Sequence, residues 1–339
     1  MRVFSGIRSS GDKTLGNYSG GFRQYVQTQE EAVRSGGEAI FCVVDLHSIT
    51  TPFEPEALRE ATLSVFTWLI ATGLDPEKSI VLVQSNVQAH PEAAWLLGAV
   101  TSFGELRRMT QFKEKAEDQE FVSAGLFNYP VLMAADILLH RTDVVPVGDD
   151  QRQHVELARD IAERFNQRFG ETLVVPRGVY PEEGARIKNL QEPERLMSTT
   201  RGAPHGVVRM IDEPDVVRKK FKTAVTDSGR DVRHDVENKP GVSNLIEIMA
   251  VATGTSIADV ESRYDGAGYG QFKEDVGEAV VALLAPLQEG YNALRADEGE
   301  LERLLALGAE KAAASAQPTL DVMYDRMGFV RRPRSSPGA

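Results

Sequence analysis

Arg2-Val3-Phe4-Ser5-Gly6-Ile7 is a short apolar run that ends in the polar turn Arg8-Ser9-Ser10-Gly11-Asp12-Lys13. Thr14-Leu15-Gly16-Asn17-Tyr18 then opens a helix that continues through Tyr25-Val26. A strand, a turn of small residues and a helix N-terminus make a phosphate cradle. Unpaired backbone N–H groups and the positive end of the helix dipole both favour an anion there. Gly16 lets a nucleotide approach the backbone closely, and Asn17 can donate from its side chain. Many strand-to-helix turns carry Gly and Ser for steric reasons alone, so the cradle needs a second site that agrees with it.

Asp136 is the second residue with chemical content. It stands in Tyr129-Pro130-Val131-Leu132-Met133-Ala134-Ala135-Asp136-Ile137-Leu138-Leu139, where Pro130 suits the first turn of a helix. Tyr129, Met133 and Asp136 fall at i, i+4 and i+7 on one face. An unpaired carboxylate among apolar residues is expensive, so Asp136 must have a partner. A structural Arg or a backbone N–H would serve, and so would a ligand donor held between Met133 and aromatic groups. In Val145-Pro146-Val147-Gly148-Asp149-Asp150-Gln151, a strand ends in a Gly and two carboxylates before a helix. Asp149 or Asp150 could cap that helix, or with Gly148 hold a ribose or a magnesium-bound phosphate. Lys113 and Lys115 belong to a polar loop, and His47 follows the strand end Val44-Asp45-Leu46. No Ser-His-Asp arrangement and no His cluster suited to zinc stands out.

These residues need a scaffold, and the first half of the chain supplies one. Apolar, β-branched-rich runs at Val3–Ile7, Ala39–Asp45, Ser79–Gln84 and Asp143–Val147 alternate with helical segments near Gly20–Ser35, Pro55–Thr72, Pro91–Phe103 and Pro130–Leu139. A further helix spans about Gln151–Phe169, and Thr172–Val175 reads as another strand. Such alternation predicts a doubly wound α/β domain with a parallel sheet and right-handed crossovers. Ligands bind such sheets at the carboxyl ends of the strands. The first turn, Asp45–His47, Gln84–Asn86 and Gly148–Gln151 all fall at that edge. From Glu213 to Met327 the pattern is helical, with candidate helices near Asp215–Val225, Ser243–Thr253, Ile257–Tyr264, Phe272–Arg295, Glu300–Ala314 and Leu320–Met327. Arg331–Ala339, dense in Arg, Pro and Ser, is expected to be disordered.

Bulk properties narrow the function classes. A chain of 339 residues with 42% hydrophobic and 26% charged residues can bury a full core and is long enough for two domains. No apolar run reaches the length of a membrane span, and the N-terminus lacks a signal segment. The single cysteine, Cys42, reads as a core residue, so no disulfide within the chain is expected, and the location expected is the cytoplasm. A net charge of −12 argues against nonspecific coating of nucleic acid. It leaves room for local basic patches at Arg107-Arg108, at Arg218-Lys219-Lys220 with Lys222, and in the tail Arg331-Arg332-Arg334.

Taken together, these segments resemble the bacterial-type tryptophanyl-tRNA synthetases, from Val3 to about Phe329. The resemblance rests on Phe4-Ser5-Gly6-Ile7, Thr14–Tyr18, Met109–Lys115, Met133–Leu138, Val145–His154, Ala224–Ser228 and Lys239–Leu245. It implies a class I aminoacyl-tRNA synthetase with a Rossmann-like α/β catalytic domain over residues 1–200 and a helical anticodon-side domain over 201–329. It also implies a cytoplasmic homodimer that joins L-tryptophan to ATP, with Mg2+ on the ATP phosphates, and passes the acyl group to tRNA(Trp). Thr14–Asn17 occupies the place of the class I HIGH motif. Carried onto this chain, Arg8, Ser9, Ser10, Gly16 and Asn17 would contact ATP, with Gly148, Asp149, Asp150 and Ile187 on the adenosine part. Asp136 would accept the indole N–H. Phe4, His47, Met133, Val145 and Val147 would wall the pocket, and Tyr129 and Gln151 would place the amino-acid head. A carboxylate left unpaired by phenylalanine can reject it by ~10⁴–10⁵.

The chain departs from the family in its mobile loop, where KMSKS is replaced by Leu196-Met197-Ser198-Thr199-Thr200. Both lysines that neutralise charge on the leaving pyrophosphate are gone, and one such donor is worth roughly 10²–10³ in rate elsewhere. Arg195, Arg201, Lys113 and Lys115 are the nearby cations expected to share that role, with Ser198, Thr199 and Thr200 still contacting phosphate oxygens. Arg8 stands where many relatives carry Gln. The degraded loop also raises a rival, a non-catalytic paralogue that senses tryptophan or binds a partner. The retained first motif, Asp136 and Gly148–Gln151 weigh against that rival.

Overall fold

The structure, a computed structural model, describes residues 1–9, 11–117, 121–180, 187–199 and 202–330, with the side chains of 115–117 also outside the described set. Ser10, Thr200, Arg201 and the tail 331–339 therefore lie outside the described residues, as does the side chain of Lys115.

Five parallel strands form one sheet: β1 (Arg2–Ile7), β2 (Glu38–Val43), β3 (Ile80–Val83), β4 (Val144–Pro146) and β5 (Arg177–Val179), in the order β3-β2-β1-β4-β5. The chain builds outward from β1 to β3, then returns to lay β4 on the other side of β1. That reversal is a topological switch point, where ligands of such sheets bind. The inner strands are apolar because both faces are covered. Ala39, Phe41 and Val43 of β2, with Val81 and Val83 of β3, face one hydrophobic cluster; Ile40, Cys42, Ile80 and Leu82 face the other.

The helices of the first half are α1 (Leu15–Asn17), α2 (Arg23–Arg34), α3 (Asp45–Ser48), α4 (Pro55–Ala71), α5 (Ala89–Gly98), α6 (Phe103–Arg108), α7 (Thr110–Glu117), α8 (Ala124–Leu139) and α9 (Arg152–Phe169). A π-helical turn, Tyr18–Phe22, joins α1 to α2. In the second half stand α10 (Pro214–Lys222), α11 (Pro240–Thr253), α12 (Ile257–Arg263), α13 (Tyr269–Ala296) and α14 (Glu298–Met327). No single helix among the described residues is long and apolar enough to cross a membrane.

Four local expectations are corrected. Thr172–Val175 is not a strand: the Asn166 side chain accepts from the Thr172 and Leu173 N–H groups and donates to the Leu173 carbonyl, so these bonds replace a ladder there. The fifth strand forms only at Arg177, beside Val144. Helix α8 starts six residues before Pro130, because Ser123 caps it by accepting from Leu126 N–H. Pro130 then costs one backbone hydrogen bond inside a helix that is buried along most of its length. Lys113 and Lys115 stand on α7, not in a loop; Phe112 holds it edge-on to Phe127, and Thr110 N–H donates to Gln153. Finally, α14 runs unbroken through Pro318 where two helices were expected, since Ala312, Ala316, Leu320 and Met323 bury one stripe on both sides of the proline.

Helix α14 also leaves the other second-half helices and lies against the sheet. Gly308 meets the Val81 backbone carbonyl so closely that a Cβ would not fit. Farther along, Ser315 reaches His140 at the end of α8.

Candidate active site

The first turn closes against the residue 196–199 segment. Thr14 caps α1 with a capping box: Asn17 N–H donates to Thr14 Oγ1 at 3.2 Å, and Thr14 N–H donates to Asn17 Oδ1 at 2.9 Å. Asn17 Oδ1 is therefore committed to the cap, and its amide nitrogen is the donor left for a ligand. Gly11 has φ +61°, and a Cβ there would stand 3.0 Å from Thr199 Oγ1. A Cβ on Gly16 would stand 3.5 Å from Met197. Met197 is buried and donates its N–H to the carbonyl of Ile187, which is buried as well. The fold thus brings Gly16, Asn17, Ile187, Met197, Ser198 and Thr199 together from distant parts of the chain. Ser9 behaves differently from expectation: it is buried, with its hydroxyl 2.9 Å from Ser48 Oγ, so it ties the turn to α3.

Asp136 lies deep at the same edge, 1% exposed. Its partners are neither an Arg nor a backbone N–H. Oδ1 accepts from Gln84 Nε2 and His90 Nδ1, both at 2.7 Å, and Oδ2 accepts from His47 Nε2 at 2.9 Å. Burial alone would push this carboxyl up. The hydrogen bonds from His47 and His90 outweigh that and hold it at about 2. Phe4 and Val145 belong to the adjoining apolar cluster, and Met133 and Val147 pack on it half-buried. Tyr129 presents its ring edge-on to His47 at 6.1 Å. These residues set apolar and aromatic side chains beside a buried carboxylate.

A polar network borders these side chains. Tyr129 O–H donates to Gln111 Oε1 at 3.3 Å and lies 2.9 Å from His154 Nε2. Burial pushes the Tyr129 phenol up to about 12, with Arg8 opposing and Glu114 adding, so it stays protonated and able to donate. Asp150 Oδ2 accepts from Gln151 Nε2 at 2.7 Å and from Gln111 Nε2 at 3.3 Å. Asp149 instead pairs with Arg152. Gly148 is the residue before this turn, so neither acid is the cap that the sequence offered.

The cations near this segment differ in burial. Arg195 is exposed and stands 3.7 Å from Glu192, and Lys113 is exposed on α7. Leu196 pairs across an antiparallel bridge with Lys188, so the two side chains share a face. Lys13 is buried in the first turn, its ammonium donating to the Arg8 carbonyl at 2.9 Å. Burial, then the Arg8 charge, pull it down to about 8 against the opposing Asp12. Gln84, just past a strand end, and Lys13, in the first turn, had a place in the sequence but no role; His90, His154 and Lys188 carried no signal there. In the basic patch of α10, Arg218 is neutralised by Asp215 and Glu278, and Lys220 by Asp212.

Comparison with known proteins gives a consistent result. The model of the family "tRNA synthetases class I (W and Y)" matches residues 1–285. A tryptophan–tRNA ligase of Caldanaerobacter subterraneus subsp. tengcongensis is 47% identical over 331 residues, 98% of this chain and 99% of that protein. One from Listeria monocytogenes is 48% identical over 98% of both. The crystal structure of tryptophanyl-tRNA synthetase from Campylobacter jejuni complexed with ADP and tryptophan superposes with a TM-score of 0.84, at 34% identity, covering 97% of this chain and all of that one.

Proposed function

Because the chain belongs to the class I tRNA synthetases of the tryptophan and tyrosine family, we infer that it activates L-tryptophan with ATP and transfers it to tRNA(Trp). The first step forms tryptophanyl-adenylate and releases pyrophosphate; the second esterifies tRNA. The observation that supports this reading is the placement of the capped first turn and of a buried carboxylate ringed by apolar side chains at one sheet edge.

The chemistry asks for position and charge, not for an enzyme nucleophile. The substrate carboxylate attacks the α-phosphorus, and pyrophosphate leaves in line. We assign the slot of Phe4, His47, Met133, Val145 and Val147 to the indole, with Asp136 accepting its N–H. Tyr129 and Gln151 hold the amino-acid head. Gly148 and Asp150 take the adenosine part with the backbone at Ile187. Arg8, Gly16, Asn17 and residues 196–200 receive the phosphates and the Mg2+ that travels on them. Lys13 and Lys188, with Lys115 and Arg195, supply the positive charge that Leu196 and Thr199 do not. Residues 1–200 are the catalytic part and 201–329 the tRNA-facing part.

We also infer a homodimer. Trp95, Phe103 and Phe121 are 83%, 68% and 78% exposed on α5, α6 and the segment before α8, the kind of apolar surface that a partner covers. A monomeric sedimentation coefficient at micromolar protein would refute it. A cytoplasmic location accompanies this activity. Tryptophan-dependent ATP–pyrophosphate exchange, with tyrosine and phenylalanine as controls, tests the whole reading. Exchange with tryptophan alone is expected, whereas tryptophan binding without exchange would replace ligase activity with a sensor role.

A further inference from the structure

Asp136 is asymmetric in its surroundings, and the asymmetry has a direction. Oδ1 has two donors, Gln84 Nε2 and His90 Nδ1, while Oδ2 has His47 alone. His90 is fully buried. His47 lies at the slot with Tyr129 against its ring. Oδ1 therefore points into the protein and Oδ2 toward the side where His47 meets Tyr129, the side assigned to the ligand. A carboxylate oxygen readily takes two donors; Oδ1 is filled by the scaffold and Oδ2 keeps one place.

Both scaffold donors are themselves fixed. Gln84 Oε1 accepts from Leu46 N–H at 3.1 Å, which settles the amide orientation and leaves Nε2 for Asp136. His90 faces an ionised carboxylate, so Nδ1 must carry the proton, and its Nε2 is buried with no hydrogen-bond partner. A ring with only one polar contact can be doing only one polar job. His90 N–H also donates to the Val87 carbonyl at 3.2 Å, anchoring the start of α5 just past β3.

We propose that His90, backed by Gln84, is the positioning residue for ring recognition: it locks the Asp136 carboxylate so that Oδ2 meets the indole N–H. This rests on the assignment of Asp136 to the indole. Without His90 the carboxylate loses one of two bonds on Oδ1 and can turn about its Cβ–Cγ bond. The N–H contact then loosens while the apolar slot stays.

That difference separates positioning from packing. The test is ATP–pyrophosphate exchange with two substrates, L-tryptophan and β-(benzothien-3-yl)-L-alanine, whose sulfur replaces the N–H in a ring of nearly the same shape. In the wild-type protein tryptophan is strongly favoured. In His90→Leu, kcat/KM for tryptophan falls roughly 10- to 100-fold, as expected when a contact is misplaced by about 1 Å. The benzothienyl substrate changes by less than about threefold, so selectivity collapses. His90→Asn, whose amide nitrogen can occupy the Nδ1 position, restores much of it. Equal losses on both substrates, or no loss on either, would overturn the proposal. Wild-type exchange that ignores the N–H would instead refute the assignment of Asp136 itself. Independently of any variant, 15N NMR of histidine-labelled wild-type protein must show His90 as the Nδ1–H tautomer; the Nε2–H tautomer would overturn the proposal.

Discussion

Replacing His140 by Phe should make the protein more resistant to acid, although it removes a hydrogen bond. His140 is fully buried at the end of α8, its ring stacked on Phe4 at 6.0 Å and its Nδ1 3.1 Å from Ser315 Oγ. Its Nε2 has no partner. Burial is the chief cause that lowers it from 6.5 to about 3. The folded state therefore holds a neutral ring while the unfolded chain takes up a proton below pH 6.5. Stability from this group is complete above 6.5 and falls by about 1.4 kcal/mol per pH unit down to about pH 3. Between about pH 7 and about pH 4.5 the loss amounts to ~2.5 kcal/mol. Phe does not titrate, so that component disappears in His140→Phe. The variant should be about 1 kcal/mol less stable near neutrality, for the lost bond to Ser315, which is half-buried and can be solvated. The two stability curves then cross near pH ~6. Urea unfolding of both proteins across this range measures the difference, with every other titrating group cancelling between them. Curves that stay parallel would refute the claim that His140 is held neutral.

Two further outcomes follow from the same geometry. Lys13→Met should raise KM for ATP or lower kcat by roughly 10²-fold with tryptophan affinity unchanged, and Lys188→Met should act in the same direction; exchange kinetics that ignore both substitutions would remove these lysines from the phosphate site. Gly308→Val forces α14 off the Val81 carbonyl and should cost about 1–3 kcal/mol in thermal unfolding, whereas Gly299→Ala, near only Asp297 Oδ1 at 3.6 Å, should be neutral or slightly stabilising.

Much of this molecule could be read from its residues in order. Strand runs such as Val3–Ile7 and Ser79–Gln84 announce a parallel sheet because both faces must be apolar, and helices alternate with them for the same reason. Asp136 declared its need for a partner, since a charge within Val131–Leu139 has no cheap alternative. The small-residue turn before Leu15 raised the expectation of an anion site at the helix N-terminus that follows it; in the fold, Leu15 N–H donates to the Val208 carbonyl and Asn17 N–H to Thr14. What local pattern carried poorly were element ends: Ser123 caps α8 ahead of Pro130, and α14 passes through Pro318, because tertiary burial outweighs one missing backbone bond.

The identity of the partners was decided only by the tertiary structure. His47, Gln84 and His90 lie 89, 52 and 46 residues from Asp136, and no periodicity links them. They meet because β2 and β3 are neighbours in a parallel sheet and deliver their following turns to the same edge, beneath α8. Likewise Lys188 reaches the face of Leu196, and Met197 the face of Gly16, through a backbone bridge and a turn contact that no spacing encodes. Residue type determined which groups needed company, because desolvation is a property of the side chain. Chain topology decided which company they got, because a hydrogen bond depends on distance in space and not on separation along the chain.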